Sequence, residues 1–126
     1  DTLYTRPHRT MVAPRWYNYA VAGMRRAVLG GTCRGADLPG WEVCGKTGTA
    51  QNRGHDHSAF MGFAPMNNPR IALCVYIENG GFGADFAVPI GSLIMEQYLT
   101  GKLSPHSQVK AAAFQARRIN YGSAER

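Results

Sequence analysis

The run Arg70-Ile71-Ala72-Leu73-Cys74-Val75-Tyr76-Ile77-Glu78, set between Pro69 and the pair Gly80-Gly81, is the strongest strand signal in the chain and the feature that most limits its fold. β-Branched and aromatic side chains dominate it, and these suit a pleated surface. Two further runs precede it. Residues 43–51 open with strand formers, and Ser58-Ala59-Phe60-Met61-Gly62-Phe63-Ala64 reads as the returning strand of a hairpin. The polar stretch 52–57 and the turn Pro65-Met66-Asn67-Asn68-Pro69 join the three. Connections this short link strands antiparallel, so the sequence predicts a three-stranded meander.

Helices are predicted on either side of it. Pro14 stands where a helix begins, and Trp16, Ala20, Gly23, Met24, Ala27 and Val28 recur at helical spacing until Gly30-Gly31. Arg25 and Arg26 fall on the wet side, and Trp16, Tyr17 and Tyr19 read as core and rim packing. Residues 84–99 form a second, largely apolar helix with Pro89 in its early part and Gly101 as its stop; it must cover the sheet. The opening Thr2-Leu3-Tyr4-Thr5 reads as an extended lead-in. Residues 102–126 form a basic tail with a weaker helical pattern in Val109, Ala113, Ala116 and Ile119, either a docked helix or a loosely held arm. The fold class expected is α+β.

Size and composition narrow the function. The 126 residues make one domain, and a 44% hydrophobic share with 15 Gly and 7 Pro describes a globular chain with many turns. No apolar run approaches the length of a membrane helix. The chain opens at Asp1 without a methionine, as a fragment or processed product would. Its charge of +6, from 14 Lys+Arg against 8 Asp+Glu, favours anionic partners. The basic residues are scattered without a recognition-helix or RNA-platform pattern, so no nucleic-acid partner is expected. Cys33, Cys44 and Cys74 lack metal-ligand spacing, and Cys44 and Cys74 sit inside strands where small buried thiols are common. His55 and His57 lie in a polar turn without further ligands, so neither a metal nor a cofactor is expected.

The chemistry concentrates in Val43-Cys44-Gly45-Lys46-Thr47-Gly48-Thr49-Ala50-Gln51. In a strand, Thr47 and Thr49 share one face and point together at a bound group, while Lys46 projects from the other. Glycines at 45 and 48 weaken a strand unless something approaches its backbone. Residues 40–47 also spell the phosphate-loop pattern G-x-x-x-x-G-K-[ST]. That loop requires a hydrophobic strand before it and a helix from the lysine onward, whereas a polar turn precedes and Gly48 and Gly54 follow, so nucleotide binding is not expected. The glycine corner Asn79-Gly80-Gly81-Phe82-Gly83 fails the dinucleotide pattern because Phe86 takes the third glycine position.

Lys46-Thr47-Gly48-Thr49-Ala50-Gln51, His57-Ser58-Ala59-Phe60, Phe63-Ala64-Pro65 and Ile77-Glu78-Asn79-Gly80-Gly81-Phe82-Gly83, in that order, resemble the C-terminal part of the transpeptidase domain of a bacterial class B penicillin-binding protein, most like the penicillin-binding protein 2 group. The resemblance covers residues 3–101 and extends into the tail. It implies a partial penicillin-binding protein/serine β-lactamase-like fold, with residues 1–101 as the C-terminal portion of the transpeptidase domain and 102–126 as an appended tail. It implies acyl transfer through a serine on peptidoglycan stem peptides ending in D-alanyl-D-alanine, with β-lactams acylating the same serine. By resemblance, Lys46 supplies charge near the donor carboxylate and to the proton network. Thr47 and Thr49 hydrogen-bond that carboxylate, and the Thr49 N–H forms half of an oxyanion hole. Gly48 leaves room for the acyl group, and the strand edge pairs with the stem peptide.

Two family motifs are not found where the resemblance requires them. No S-x-N occurs, and the only S-x-x-K, Ser107-Gln108-Val109-Lys110, follows the K-T-G strand instead of preceding it, which reads as a chance match. The expectation is therefore that the parent protein is an enzyme and these residues alone are not. The resemblance further implies a place on the periplasmic side of the bacterial inner membrane, a membrane glycosyltransferase of the elongation machinery as partner, and contact with the N-terminal part of the same domain. Without that part, an uncovered strand edge or helix face invites self-association. The competing reading is a non-catalytic basic module that binds an anionic polymer.

Overall fold

The computed structural model describes residues 3–119. In chain order these form helix α1 (Pro14–Gly30), a short 3-10 turn (Arg34–Ala36), strands β1 (Cys44–Ala50), β2 (His57–Ala64) and β3 (Ile71–Ile77), and helices α2 (Ala87–Thr100) and α3 (Pro105–Ala116). The sheet runs β1-β2-β3 with both pairs antiparallel, which is the expected meander.

The register sorts the side chains onto two faces. Thr47, Phe60 and Val75 stand in one row, and Lys46, Met61 and Cys74 in the next, which therefore points the other way. Phe60 and Val75 are buried in a core completed by Val28, Val43, Val88 and Met95. Its centre is the Phe60 ring, which occupies a slot where side chains are absent. A β-carbon at Gly45, Gly62 or Gly91 would lie 2.5, 2.7 or 2.5 Å from that ring. Glycine in β1, β2 and α2 thus serves close packing around one aromatic side chain.

Several expectations are corrected by this packing. The opposite face of the sheet carries Met61 and Tyr76 at 55% and 54% exposure, and Cys74 shares it, so Cys74 is exposed although it lies in a strand. Cys33, from the loop, is buried instead. Arg25 does not face solvent freely. Its guanidinium donates to Val43 O at 2.8 Å and pairs with Asp37 at 3.4 Å, tying α1 to the lead into β1. Trp16 and Tyr19 are 53% and 72% exposed and pack on each other, because only the C-terminal part of α1 reaches the core, through Val28.

Other boundaries shift by a few residues. α2 starts at Ala87, since residues 84–86 form a turn. Leu3, Tyr4 and Thr5 form a turn rather than an extended lead-in, and Thr2 lies outside the described residues. The tail contains a docked helix, but not through its expected apolar stripe. Val109 faces solvent, Ile119 lies beyond the helix, and Phe114 makes the contact by packing edge-on to Phe86. The part of the tail from residue 120 onward lies outside the described residues. Among the described residues no helix is long and apolar enough to cross a membrane.

Candidate functional site

Among the described residues β1 is an edge strand, paired with β2 alone. Period-two alternation places Thr47 and Thr49 on one side, and both line a cavity of about 340 Å³ whose other walls are Thr32 and the segment Phe82-Gly83-Ala84-Asp85. A larger cavity of about 540 Å³ adjoins it, sharing Thr32, Ala84 and Asp85 and extending past Arg34. The two form one groove running from the β1 edge to the end of α1. Lys46 lies in the middle of a strand, so the phosphate-loop geometry is excluded.

Each of the four residues singled out in the sequence has a definite place. Thr47 is half-buried and Thr49 exposed toward the cavity. The Thr47 hydroxyl lies 2.8 Å from that of Thr32. Lys46 is exposed on the other face, and its ammonium folds back to donate to Thr47 O at 2.7 Å, so it does not line the cavity. Gly48 sits where a β-carbon would approach Ala59 Cβ to 3.3 Å, which gives it a packing reason beside any role toward a ligand.

The glycine corner closes the site from above. A β-carbon at Gly83 would fall 2.5 Å from Ala59 O and 2.8 Å from Gly48 O, so bare backbone there lies directly on β1 and β2. Ser58 anchors this approach. Its buried hydroxyl donates to Phe82 O at 3.0 Å and accepts from Ala87 N at 3.1 Å. The second bond satisfies a donor at the start of α2, where the cap position, Phe86, offers no side-chain acceptor. His57 Nδ1 accepts from Asn79 N at 3.0 Å, so this histidine begins β2 and braces the corner instead of lying in a solvated turn. Among the described residues no group of three or more His, Cys, Asp or Glu is placed to hold a metal ion.

Sequence reasoning missed Thr32 and the bracing role of Ser58. Thr32 follows two glycines that signalled only a helix end. Ser58 was legible in principle, as the polar residue of an apolar strand whose cross-strand partner is Thr49. Cys33, beside them, is no candidate nucleophile. Burial pushes its thiol up, against hydrogen bonding from Thr32 and Thr47 and the charge of Lys46.

Electrostatics also account for the S-x-x-K match in α3. Ser104 N donates to Glu96 on α2 at 2.9 Å. Burial pushes the Glu96 carboxyl up, but donors from Ser107 and Ser104 and the charge of Lys110 outweigh it and leave it below the ordinary carboxylate range. Burial draws the Lys110 ammonium down, opposed by Glu96. Ser107 and Lys110 thus lie beside a carboxylate of α2 and outside the lining of the β1 cavity.

Comparison with known proteins supplies the family. Residues 4–96 match the family described as the penicillin binding protein transpeptidase domain. The peptidoglycan D,D-transpeptidase MrdA of Acinetobacter baumannii is 35% identical over 102 residues, which cover 65% of this chain and 15% of that protein. The crystal structure of Pseudomonas aeruginosa PBP2 in complex with WCK 5153 superposes with a TM-score of 0.66 at 37% identity, covering 79% of this chain and 23% of that one. An acyl-enzyme complex of Mycobacterium tuberculosis penicillin-binding protein A with ceftriaxone gives 0.66 at 28% identity, covering 73% and 23%. The chain spans less than a quarter of the length of each of these relatives. A match that begins before α1, crosses every strand of the sheet and ends within α2 leaves one assignment: this chain belongs to the penicillin-binding protein transpeptidase family, as a part of that domain.

Proposed function

We propose that the protein carrying this chain is a serine-type peptidoglycan D,D-transpeptidase, and that residues 1–126 supply the strand that holds its donor peptide. The observation that carries this reading is the pair Thr47 and Thr49 on one side of an edge strand, lining a groove roofed by the glycine corner. A stem peptide ending in D-alanyl-D-alanine adds to the free edge of β1 as an extra strand, and the two hydroxyls donate to its terminal carboxylate. Lys46 contributes positive charge there once its ammonium leaves the Thr47 carbonyl, and the Thr49 N–H helps to stabilise the oxyanion of the acyl-transfer intermediate. Gly48 keeps the strand open to the acyl group. β-Lactams occupy the same groove and acylate the same serine.

The nucleophile comes from elsewhere in the protein. Within these residues the S-x-x-K serine is Ser107, which sits in α3 beside Glu96, so the 126-residue chain alone forms no acyl-enzyme. The proposal places the protein on the periplasmic side of the inner membrane, beside a membrane glycosyltransferase. The isolated chain self-associates through the exposed Met61 and Tyr76 face or the outer edge of β3, and light scattering of a strict monomer would refute this last point. The basic-module alternative gains nothing from Arg25, which bonds internally, while Arg15, Arg70 and Arg117 lie over aromatic rings.

The test is fluorescent penicillin applied to the full-length protein. Covalent labelling that falls at least tenfold in Lys46→Ala and Thr49→Ala supports the reading, and a protein that takes no label refutes it.

A further inference from the structure

We propose that Arg117, just after α3, is a positioning residue for the groove: it clamps the turn 84–86, which follows the glycine corner, from outside, while Ser58 bonds to Phe82 and Ala87 on either side of that turn from within. This rests on the functional reading above for its consequence, though not for its geometry. α3 and Arg117 lie outside residues 4–96, the part that the family model matches.

The contacts converge on two adjacent residues. The Arg117 guanidinium lies 4.8 Å from the centre of the Phe86 ring and 5.0 Å from that of Phe114, and the two rings meet edge to face at 5.6 Å. One of its nitrogens also reaches the Asp85 carbonyl at 3.5 Å. Asp85 walls both cavities of the groove, and Phe86 is the residue between it and Ala87, whose N–H is bonded to Ser58. A cation over two ring faces is attracted by both, and its planar fork retains a donor for the carbonyl.

The rest of α3 makes this contact decisive. No residue of α3 is fully buried, and the apolar contact that anchors it is that of Phe114 on Phe86. It is fixed at its start by Ser104 N on Glu96 and near its end by the stack on Phe86. Releasing the second point leaves the helix tethered at one end and the turn 84–86 held by Ser58 on its flanks and by the backbone bonds of Asp85 N to Phe82 O, Val88 N to Gly83 O and Ile90 N to Phe86 O. Local opening there would loosen the groove wall while the sheet stays intact.

The experiment is hydrogen exchange and penicillin acylation on the full-length protein carrying Arg117→Ala, Arg117→Lys or Phe114→Leu. Arg117→Ala and Phe114→Leu are expected to speed exchange across residues 82–88 about tenfold while β1, β2 and β3 keep their protection. The penicillin concentration for half-maximal acylation rises by a similar factor and the limiting rate stays within about twofold. Arg117→Lys, which keeps the cation, remains within about threefold of wild type. Unchanged exchange over 82–88 in both truncating variants, or loosening spread evenly through the sheet, overturns the clamp. If the unmodified protein takes no penicillin, the functional reading fails and the exchange measurement still decides the clamp.

Discussion

The hydroxyls of Thr32 and Thr47 lie 2.8 Å apart, joining the loop after α1 to the middle of β1 across 15 positions of sequence. Both residues line the same cavity, so the bond sets the direction of the one K-T-G side chain that is half-buried. A hydroxyl that must donate to a ligand carboxylate gains from a neighbour that takes up its remaining hydrogen-bonding capacity.

Thr32→Val keeps the shape and removes that neighbour. Acylation of the full-length protein by penicillin should slow roughly threefold to tenfold, with Thr32→Ser near wild type, while the thermal midpoint moves little. Stopped-flow labelling measures the first and a melting curve the second. An unchanged rate in Thr32→Val would show that Thr47 does not depend on it.

Ser58→Ala should be far more costly to the fold than its size suggests. It leaves Ala87 N without an acceptor in a buried place and releases Phe82 O, a loss of about 1–3 kcal/mol in urea unfolding. Gly83→Ala should cost at least as much, because the new methyl meets two backbone oxygens that cannot rotate away.

The three cysteines should separate by reactivity. Cys74 is exposed, while burial pushes the thiols of Cys33 and Cys44 up and keeps them protonated. At dilutions where light scattering gives a monomer, a thiol reagent should modify one cysteine of the native 126-residue chain quickly and the other two only on unfolding. Cys74→Ser should abolish the fast phase, and a persisting fast phase would contradict the described packing.

Docking of α3 should weaken in acid. The folded pKa of Glu96 lies below its unfolded value, so its contribution is complete above the unfolded carboxylate range, near 4.3, and is lost as pH falls through the folded value. Lys110, also drawn down on folding, stays charged throughout that window and does not alter the sign. Hydrogen exchange in α3 should therefore rise from pH 5 to pH 3 relative to the sheet, and Glu96→Gln should flatten the trend.

Local pattern carried much of the fold. Alternation, turn residues and helix stops located three strands and two helices within a few residues, and the K-T-G stretch declared its paired threonines. Residues whose environment depends on distant neighbours were misjudged. Cys74 was expected inside because it lies in an apolar strand, yet register turned it outward. Arg25 was expected in water because it is charged, yet a carbonyl 18 positions away captured it.

Period-two and period-3.6 repetition belong to the backbone, so the sequence by itself determined which segments pair, that Thr47 and Thr49 face together, and the family signature they carry. The tertiary structure alone decided that Thr32 would meet Thr47, that Ser58 would cap a helix 29 positions on, and that Gly83 would rest on β1. The physical reason is range: a hydrogen bond or a van der Waals contact acts over a few ångströms of space, and only the folded chain sets which residues lie that close.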